Sequence, residues 1–193
     1  MSGKRVCVFG SYKRLKEAAH IVKLGYLLGK RGYIVVTGGF GGTMEDVSRG
    51  AKKAGTKTIG VTYYKPNDSR KRPNPYVDEE IKTDNIFERI STMMKISDAF
   101  IVLPGGTGTL LELASCLECI NKGIIEIKPV VAFGSFWKKV VSVLGNELIL
   151  NKGIQNKFGL KKCAQIVKFC TSPEDVVSSV EILCRMYNEE YTG

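Results

Sequence analysis

The run Pro104-Gly105-Gly106-Thr107-Gly108-Thr109-Leu110-Leu111-Glu112 combines residue types that together can hold and act on an anion. It follows the apolar stretch Ala99–Leu103 and opens a segment of helical periodicity, which places it at a strand-to-helix turn. Three glycines let the backbone bend sharply and approach a ligand closely. The first N–H groups of a helix lack intrahelical acceptors and, with the helix dipole, favour negative charge. Glu112 stands one turn into that helix, beside any bound anion. A loop that only held phosphate needs no acid there, so the pairing points to chemistry on a phosphorylated substrate.

Two further groups of residues join this candidate site. Gly38-Gly39-Phe40-Gly41-Gly42 is a second glycine loop. It is not a Walker A loop, because no Lys-Ser/Thr follows the glycines. It also lacks the G-x-G-x-x-G spacing, and no acid ends the next strand to hold a ribose, so NAD is not expected. Arg89 lies about one turn into the helix preceding Ala99–Leu103. On sequence alone it is either a solvated side chain, a partner of Glu88 or Glu112, or a ligand-binding group. Glu45 and Arg49 are either ligand contacts or a helix-surface i,i+4 pair.

These residues need a framework, and the hydrophobic pattern supplies one. Apolar runs at Arg5–Phe9, Tyr33–Val36, Thr58–Thr62, Ala99–Leu103, Pro129–Phe133 and Gln165–Phe169 read as six strands. Helical stripes alternate with them over about 13–30, 43–54, 84–96, 109–121 and 135–145, and from Pro173 to about Tyr187. Asp84 is expected to cap the third helix. Ser172-Pro173-Glu174-Asp175 is a strong helix start, with an N-cap serine, proline at the first position and acids in the first turn. The stretch 64–83 reads as a long loop, 146–162 is ambiguous, and a polar tail follows the last helix. Strands that are apolar throughout indicate a sheet covered on both faces. The expected fold is therefore α/β, a Rossmann-like doubly wound parallel sheet, forming one domain over 1–193. Ligands bind such sheets at strand C-termini near a switch in strand order. The glycine-rich turns after the first, second and fourth strands all fall at strand C-termini, so they can converge on one crevice. This adds Ser11, Gly38 and Gly39 to the candidate binding residues.

The bulk properties exclude more than they assign. Lys and Arg number 29 against 19 Asp and Glu, a net charge of +10. Such charge is compatible with nucleic-acid binding, but the cations are spread along the chain. The densest cluster, Arg70-Lys71-Arg72, sits in the polar 64–83 stretch, so nucleic acid is not expected as a partner. No run approaches the ~20 apolar residues that span a bilayer, and no cleavable signal is read, so a cytoplasmic location is expected. Six cysteines in a chain of this kind do not suggest a disulfide framework. Cys7 and Cys170 read as core residues. Cys116 and Cys119 form a C-x-x-C inside a helix without a second pair, and His20 is the sole histidine, so no metal site and no cofactor are expected.

Taken together, Pro104–Glu112, the upstream Glu88-Arg89-Ile90-Ser91-Thr92-Met93, the first strand's Val8-Phe9-Gly10-Ser11, the Thr37-Gly38-Gly39 loop with Met44, Ile59-Gly60-Val61 and Lys128-Pro129-Val130 resemble the LONELY GUY family. The resemblance covers roughly residues 5–133, and its P-G-G-x-G-T-x-x-E motif is complete here. It implies phosphoribohydrolase activity on nucleoside 5′-monophosphates, releasing free base and ribose 5-phosphate. In plants and some microbes the preferred substrate is a cytokinin riboside monophosphate. It also implies a homodimer or a larger even-numbered assembly. By the resemblance, Glu112 and Arg89 are the catalytic pair, and Gly105, Gly106, Thr107, Gly108 and Thr109 are the phosphate-binding turn. The chain departs from the family pattern at Ile90, where a Lys is usual. It departs again at Gly38–Asp46, which replaces G-G-G-x-x-G-L-M-G and looks like a sister branch that includes molybdenum-cofactor carriers. A non-catalytic carrier of a nucleotide or of molybdenum cofactor is accordingly the alternative reading.

Overall fold

The computed structural model describes residues 3–67 and 72–189. Its centre is a seven-stranded, wholly parallel sheet in the order β4-β3-β2-β1-β5-β6-β7. The strands are β1 (Arg5–Phe9), β2 (Ile34–Thr37), β3 (Thr58–Tyr63), β4 (Glu79–Thr83), β5 (Ala99–Val102), β6 (Val130–Phe133) and β7 (Val167–Cys170). The longer helices are α1 (Ala18–Lys30), α2 (Thr43–Lys53), α3 (Ile86–Ile96), α4 (Thr107–Asn121) and α7 (Pro173–Glu189), with short α5 (Lys138–Ser142) and α6 (Lys152–Phe158) between β6 and β7. This is the doubly wound α/β architecture that the alternation of patterns predicts.

Alternation within each strand splits the core in two. Cys7, Phe9, Val36, Val61, Phe100 and Val102 pack with Ile90 and Met93 of α3 and with Leu113, Cys116 and Ile120 of α4. Val6, Val8, Val35, Ile101 and Val131 pack with Leu24 and Leu28 of α1, Val47 and Ala51 of α2, and Val177 and Val180 of α7. Successive strand residues point to opposite faces, so runs that are apolar throughout suit a sheet with helices on both sides. Cys7 and Cys170 are buried, as expected, and all six cysteines are free thiols.

Three details depart from the sequence reading. The stretch 64–83 is not all loop, since its last five residues form β4 at the sheet edge, paired with β3 from Ile59↔Glu79 to Tyr63↔Thr83. An edge strand has one neighbour and need not be apolar, and charges such as those of Glu79-Glu80-Ile81-Lys82 protect the edge from foreign strands. The cap of α3 is Asn85 rather than Asp84. Its side chain accepts from Phe87 N at 3.0 Å and Glu88 N at 2.9 Å. The ambiguous 146–162 segment holds α6, closed by Gly159 at φ 65°. The Ser172 cap of α7 is as expected, with Asp175 N donating to its Oγ at 3.1 Å. Arg70 and Lys71 of the basic cluster, and the last residues of the polar tail, lie outside the described residues.

Candidate functional site

The strand order reverses at β1, which has β2 on one side and β5 on the other. Phe9 and Val102 are register partners there, and Leu103 N donates to Phe9 O at 2.9 Å, so the loops after both strands leave side by side. A cavity of about 850 Å³ opens at this point. Gly10 and Ser11 line it from the β1 loop, and Gly106, Thr107, Gly108 and Thr109 from the first turn of α4. Gly106 caps α4 without a side-chain hydrogen bond. The N–H groups of the first turn therefore point toward the cavity end of the helix with no acceptor in their own helix. Thr109 is buried, whereas Gly106, Thr107 and Gly108 are exposed to the cavity. Gly105 stands behind this turn, where a Cβ would collide with Thr109 Oγ1. Buried Trp137 fixes the root of the loop, its Nε1 donating to Leu103 O at 2.9 Å.

Glu112 and Arg89 meet at the floor of the cavity, each only 7% exposed. Arg89 Nη1 lies 3.5 Å from Glu112 Oε1, and Arg89 Nε donates to Val61 O at 2.8 Å. The guanidinium also lies 4.0 Å from Met44 Sδ through Nη2 and 5.7 Å from the centre of the Phe40 ring. Burial pushes the Glu112 carboxyl up from 4.5 to about 7, against the opposing pull of Arg89. A neighbouring cation favours the ionised form, but desolvation disfavours it more strongly here. The carboxyl is thus held near the neutral point rather than fully ionised by its arginine. The Cys7 and Cys116 thiols are raised by burial first and by the Glu112 charge second.

Gly38 and Gly39 do not line the cavity; they support it. A Cβ on Gly38 would collide with Arg89 Nη2, so only glycine leaves room for the guanidinium. The β1 and β2 loops are stapled together. Thr43 donates to Ser11 O through N and Oγ1, both at 3.0 Å. Gly42, at φ 69°, packs so closely on the Tyr12 carbonyl that no side chain fits. Below this staple, fully buried Asp46 accepts from Arg49 Nη2 at 2.7 Å and pairs with Arg14 Nε at 3.2 Å. Arg49 therefore pairs with Asp46 rather than Glu45, which lies 3.9 Å from Arg14.

Of the residues predicted from sequence, Ser11, Arg89, Gly106, Thr107, Gly108, Thr109 and Glu112 come together in one cavity, and Gly38, Gly39 and Gly105 lie just behind its wall. The sequence reading missed Tyr12, Lys13, Phe40, Met44, Tyr63, Lys65 and Ile86, which complete the lining. Lys13 and Lys65 add positive charge at the mouth. Phe40 was legible as the one large residue within a glycine run. Tyr63 and Ile86 carry no local signal, because a fold-back over more than 20 residues brings them in. Among the described residues no group of three or more His, Cys, Asp or Glu side chains could hold a metal, and no helix is long and apolar enough to cross a membrane.

Comparison with known proteins agrees with this fold. The family model described as "possible lysine decarboxylase" matches residues 44–180. A rice protein (Oryza sativa subsp. japonica) named "Probable cytokinin riboside 5′-monophosphate phosphoribohydrolase LOGL6" is 30% identical over 186 residues, covering 92% of this chain and 70% of its own. Cytokinin riboside 5′-monophosphate phosphoribohydrolase LOG1 of Arabidopsis thaliana is also 30% identical over 186 residues, covering 92% and 83%. Among solved structures, the molybdenum cofactor binding protein from the phototrophic bacterium Rippkaea orientalis superposes with a TM-score of 0.70 at 25% identity, over 94% of this chain and 98% of that one. With the parallel sheet, the complete Pro104–Glu112 motif and a match spanning most of its length, the chain belongs to the LONELY GUY family, whose sequence model carries the lysine decarboxylase description.

Proposed function

We propose that the protein hydrolyses the N-glycosidic bond of a nucleoside 5′-monophosphate, a cytokinin riboside monophosphate or an AMP-like nucleotide, to free base and ribose 5-phosphate. The observation that carries this reading is the buried Arg89–Glu112 pair, 3.5 Å apart, in the same cavity as the open N-terminus of α4. The N–H groups of Thr107, Gly108 and Thr109 suit a 5′-phosphate, and Lys13 and Lys65 draw it in. A phosphate seated there brings its ribose toward Glu112. Cleavage of the glycosidic bond builds positive charge on the ribose ring. An ionised Glu112 stabilises that charge and takes the proton of the attacking water. A carboxyl poised near 7 suits this role, since it is ionised often enough to act and basic enough to accept a proton. Arg89, anchored on Val61 O, holds a phosphate or ribose oxygen and disperses negative charge. The family resemblance brings a homodimer or a larger even-numbered assembly to this reading, which sedimentation would report.

A carrier that binds a nucleotide or a phosphorylated cofactor without cleaving it is the second reading. The β2 loop favours it, because Phe40 and the Glu45-Asp46 pair replace residues usual in the enzymes, and the Rippkaea orientalis protein named as binding molybdenum cofactor has the same fold. One experiment separates the two. Purified protein is incubated with AMP, GMP, CMP, UMP and isopentenyladenosine monophosphate, and free base is resolved by chromatography. Release by the wild type, abolished in Glu112→Ala and Arg89→Ala, supports the hydrolase. Binding without release from any of the five overturns it in favour of the carrier.

A further inference from the structure

The Phe40 side chain is built into the cavity wall with more support than a structural turn requires. Its backbone is clamped by buried Asn74, whose N and Nδ2 donate to Gly39 O at 2.8 and 3.2 Å and whose Nδ2 also donates to Phe40 O at 2.9 Å. Asn74 is itself held by Tyr76 N, which donates to its Oδ1 at 3.0 Å. The ring meets Tyr64 edge-on, centres 5.6 Å apart and planes at 82°. Tyr64 is fixed in turn, its hydroxyl donating to Glu80 Oε1 at 2.6 Å, the same oxygen that takes the Thr62 hydroxyl at 2.7 Å. The Arg89 guanidinium lies 5.7 Å from the ring centre. Tyr64 and Arg89 thus flank one aromatic side chain whose backbone Asn74 holds, and the ring stays partly open to the cavity.

A fixed, partly open aromatic ring in a ligand cavity has a specific use. Ordering a side chain on binding costs affinity, and a ring already locked in place avoids that cost. A planar base stacks on such a ring whatever its hydrogen-bonding edge, because every base presents a π face. Resting on the nucleotide reading above, we infer that Phe40 is the platform on which the base of the bound nucleotide stacks, and that it distinguishes nucleotide from ribose 5-phosphate. Tyr64, Asn74 and Glu80 then lock the platform, and the baseless sugar phosphate leaves readily because it has no contact there. Tyr12, 71% exposed on the neighbouring loop, lacks this support and is not the platform.

The test measures binding, so it stands apart from turnover. In a Glu112→Gln background, which leaves the nucleotide intact, AMP and ribose 5-phosphate are titrated by calorimetry into protein with Phe40, Phe40→Tyr and Phe40→Leu. The expected result is tighter binding of AMP than of ribose 5-phosphate. Phe40→Leu weakens AMP by about tenfold to a hundredfold, Phe40→Tyr keeps it within about threefold, and ribose 5-phosphate changes in neither. Because Phe40→Leu could loosen the loop, Phe40→Tyr, which keeps the ring, separates lost stacking from lost order. Equal weakening of AMP and ribose 5-phosphate in Phe40→Leu would show Phe40 acting through Arg89 alone and overturn the platform, as would an unchanged AMP affinity in Phe40→Leu. Binding of AMP with no base release by the wild type would sink the hydrolase and leave the platform to be judged by these affinities. Binding of neither ligand would overturn both.

Discussion

Replacing Glu112 by glutamine isolates the cost of ionising a carboxyl on the cavity floor. In the unfolded chain this group titrates near its ordinary 4.5, whereas burial holds it near 7 in the folded protein. Between those values the folded state binds the proton that the unfolded state has lost, so stability falls as pH rises through the interval. The gap corresponds to about 3 kcal/mol, nearly all lost between pH 4.5 and about 7.5. Glutamine keeps an oxygen that Arg89 Nη1 can meet and has no charge to desolvate. Glu112→Gln should therefore match the wild type within about 1 kcal/mol at pH 5 and exceed it by about 2–3 kcal/mol at pH 8. In thermal terms this is roughly 5–10 °C for a domain of this size. Urea unfolding of both proteins at half-unit steps from pH 5 to 8.5 reads the difference directly, since the other titrating groups are common to both. A variant equal to or weaker than the wild type at pH 8 would mean that Arg89 holds the carboxylate ionised, and would refute the balance drawn here between burial and pairing. Base release should rise with pH through about 7 as Glu112 ionises, following the same group.

Further outcomes follow from the same geometry. Gly38→Ala should cost at least a hundredfold in base release, because its methyl displaces the Arg89 guanidinium; circular dichroism should show the fold retained, and unchanged kinetics would contradict the packing argument. Arg89→Lys should be nearly as damaging as Arg89→Ala, since an ammonium cannot serve both Val61 O and Glu112; recovery above a tenth of wild-type kcat/KM would argue for a simple charge. Asp46→Asn should destabilise by about 1–2 kcal/mol in urea, less than a fully buried pair because Arg14 and Arg49 are partly exposed, and should raise KM through the loosened Ser11–Thr43 staple.

The features legible in the sequence are those with a local cause. Five central strands announce themselves as apolar runs because both their faces are covered, and the edge strand β7 is read from a short apolar run of its own. The Pro104–Glu112 turn is legible because glycine, threonine and an acid each answer a requirement of the backbone at that place. Glu79–Thr83 escaped because an edge strand needs no apolar run, and its pairing with β3 is a non-local fact. The ionisation of Glu112 escaped for a related reason. The sequence shows an arginine available to it, but the burial that outweighs the arginine is set by the assembled fold, with the Cys7 and Cys116 thiols close enough to feel its charge.

The departures of the β2 loop from the family pattern become intelligible in the same terms. Two residues of the loop border Arg89, and a third ties the loop to the β1 side. Met44 sits against Nη2, Phe40 against the guanidinium, and Asp46 ties the loop to Arg14. The α4 turn and Glu112 come from a different part of the chain, after β5 rather than β2. What differs is the part of the cavity wall formed by Phe40 and Met44. Arg89 keeps one anchor outside the loop, its Nε bonded to Val61 O from the sheet side.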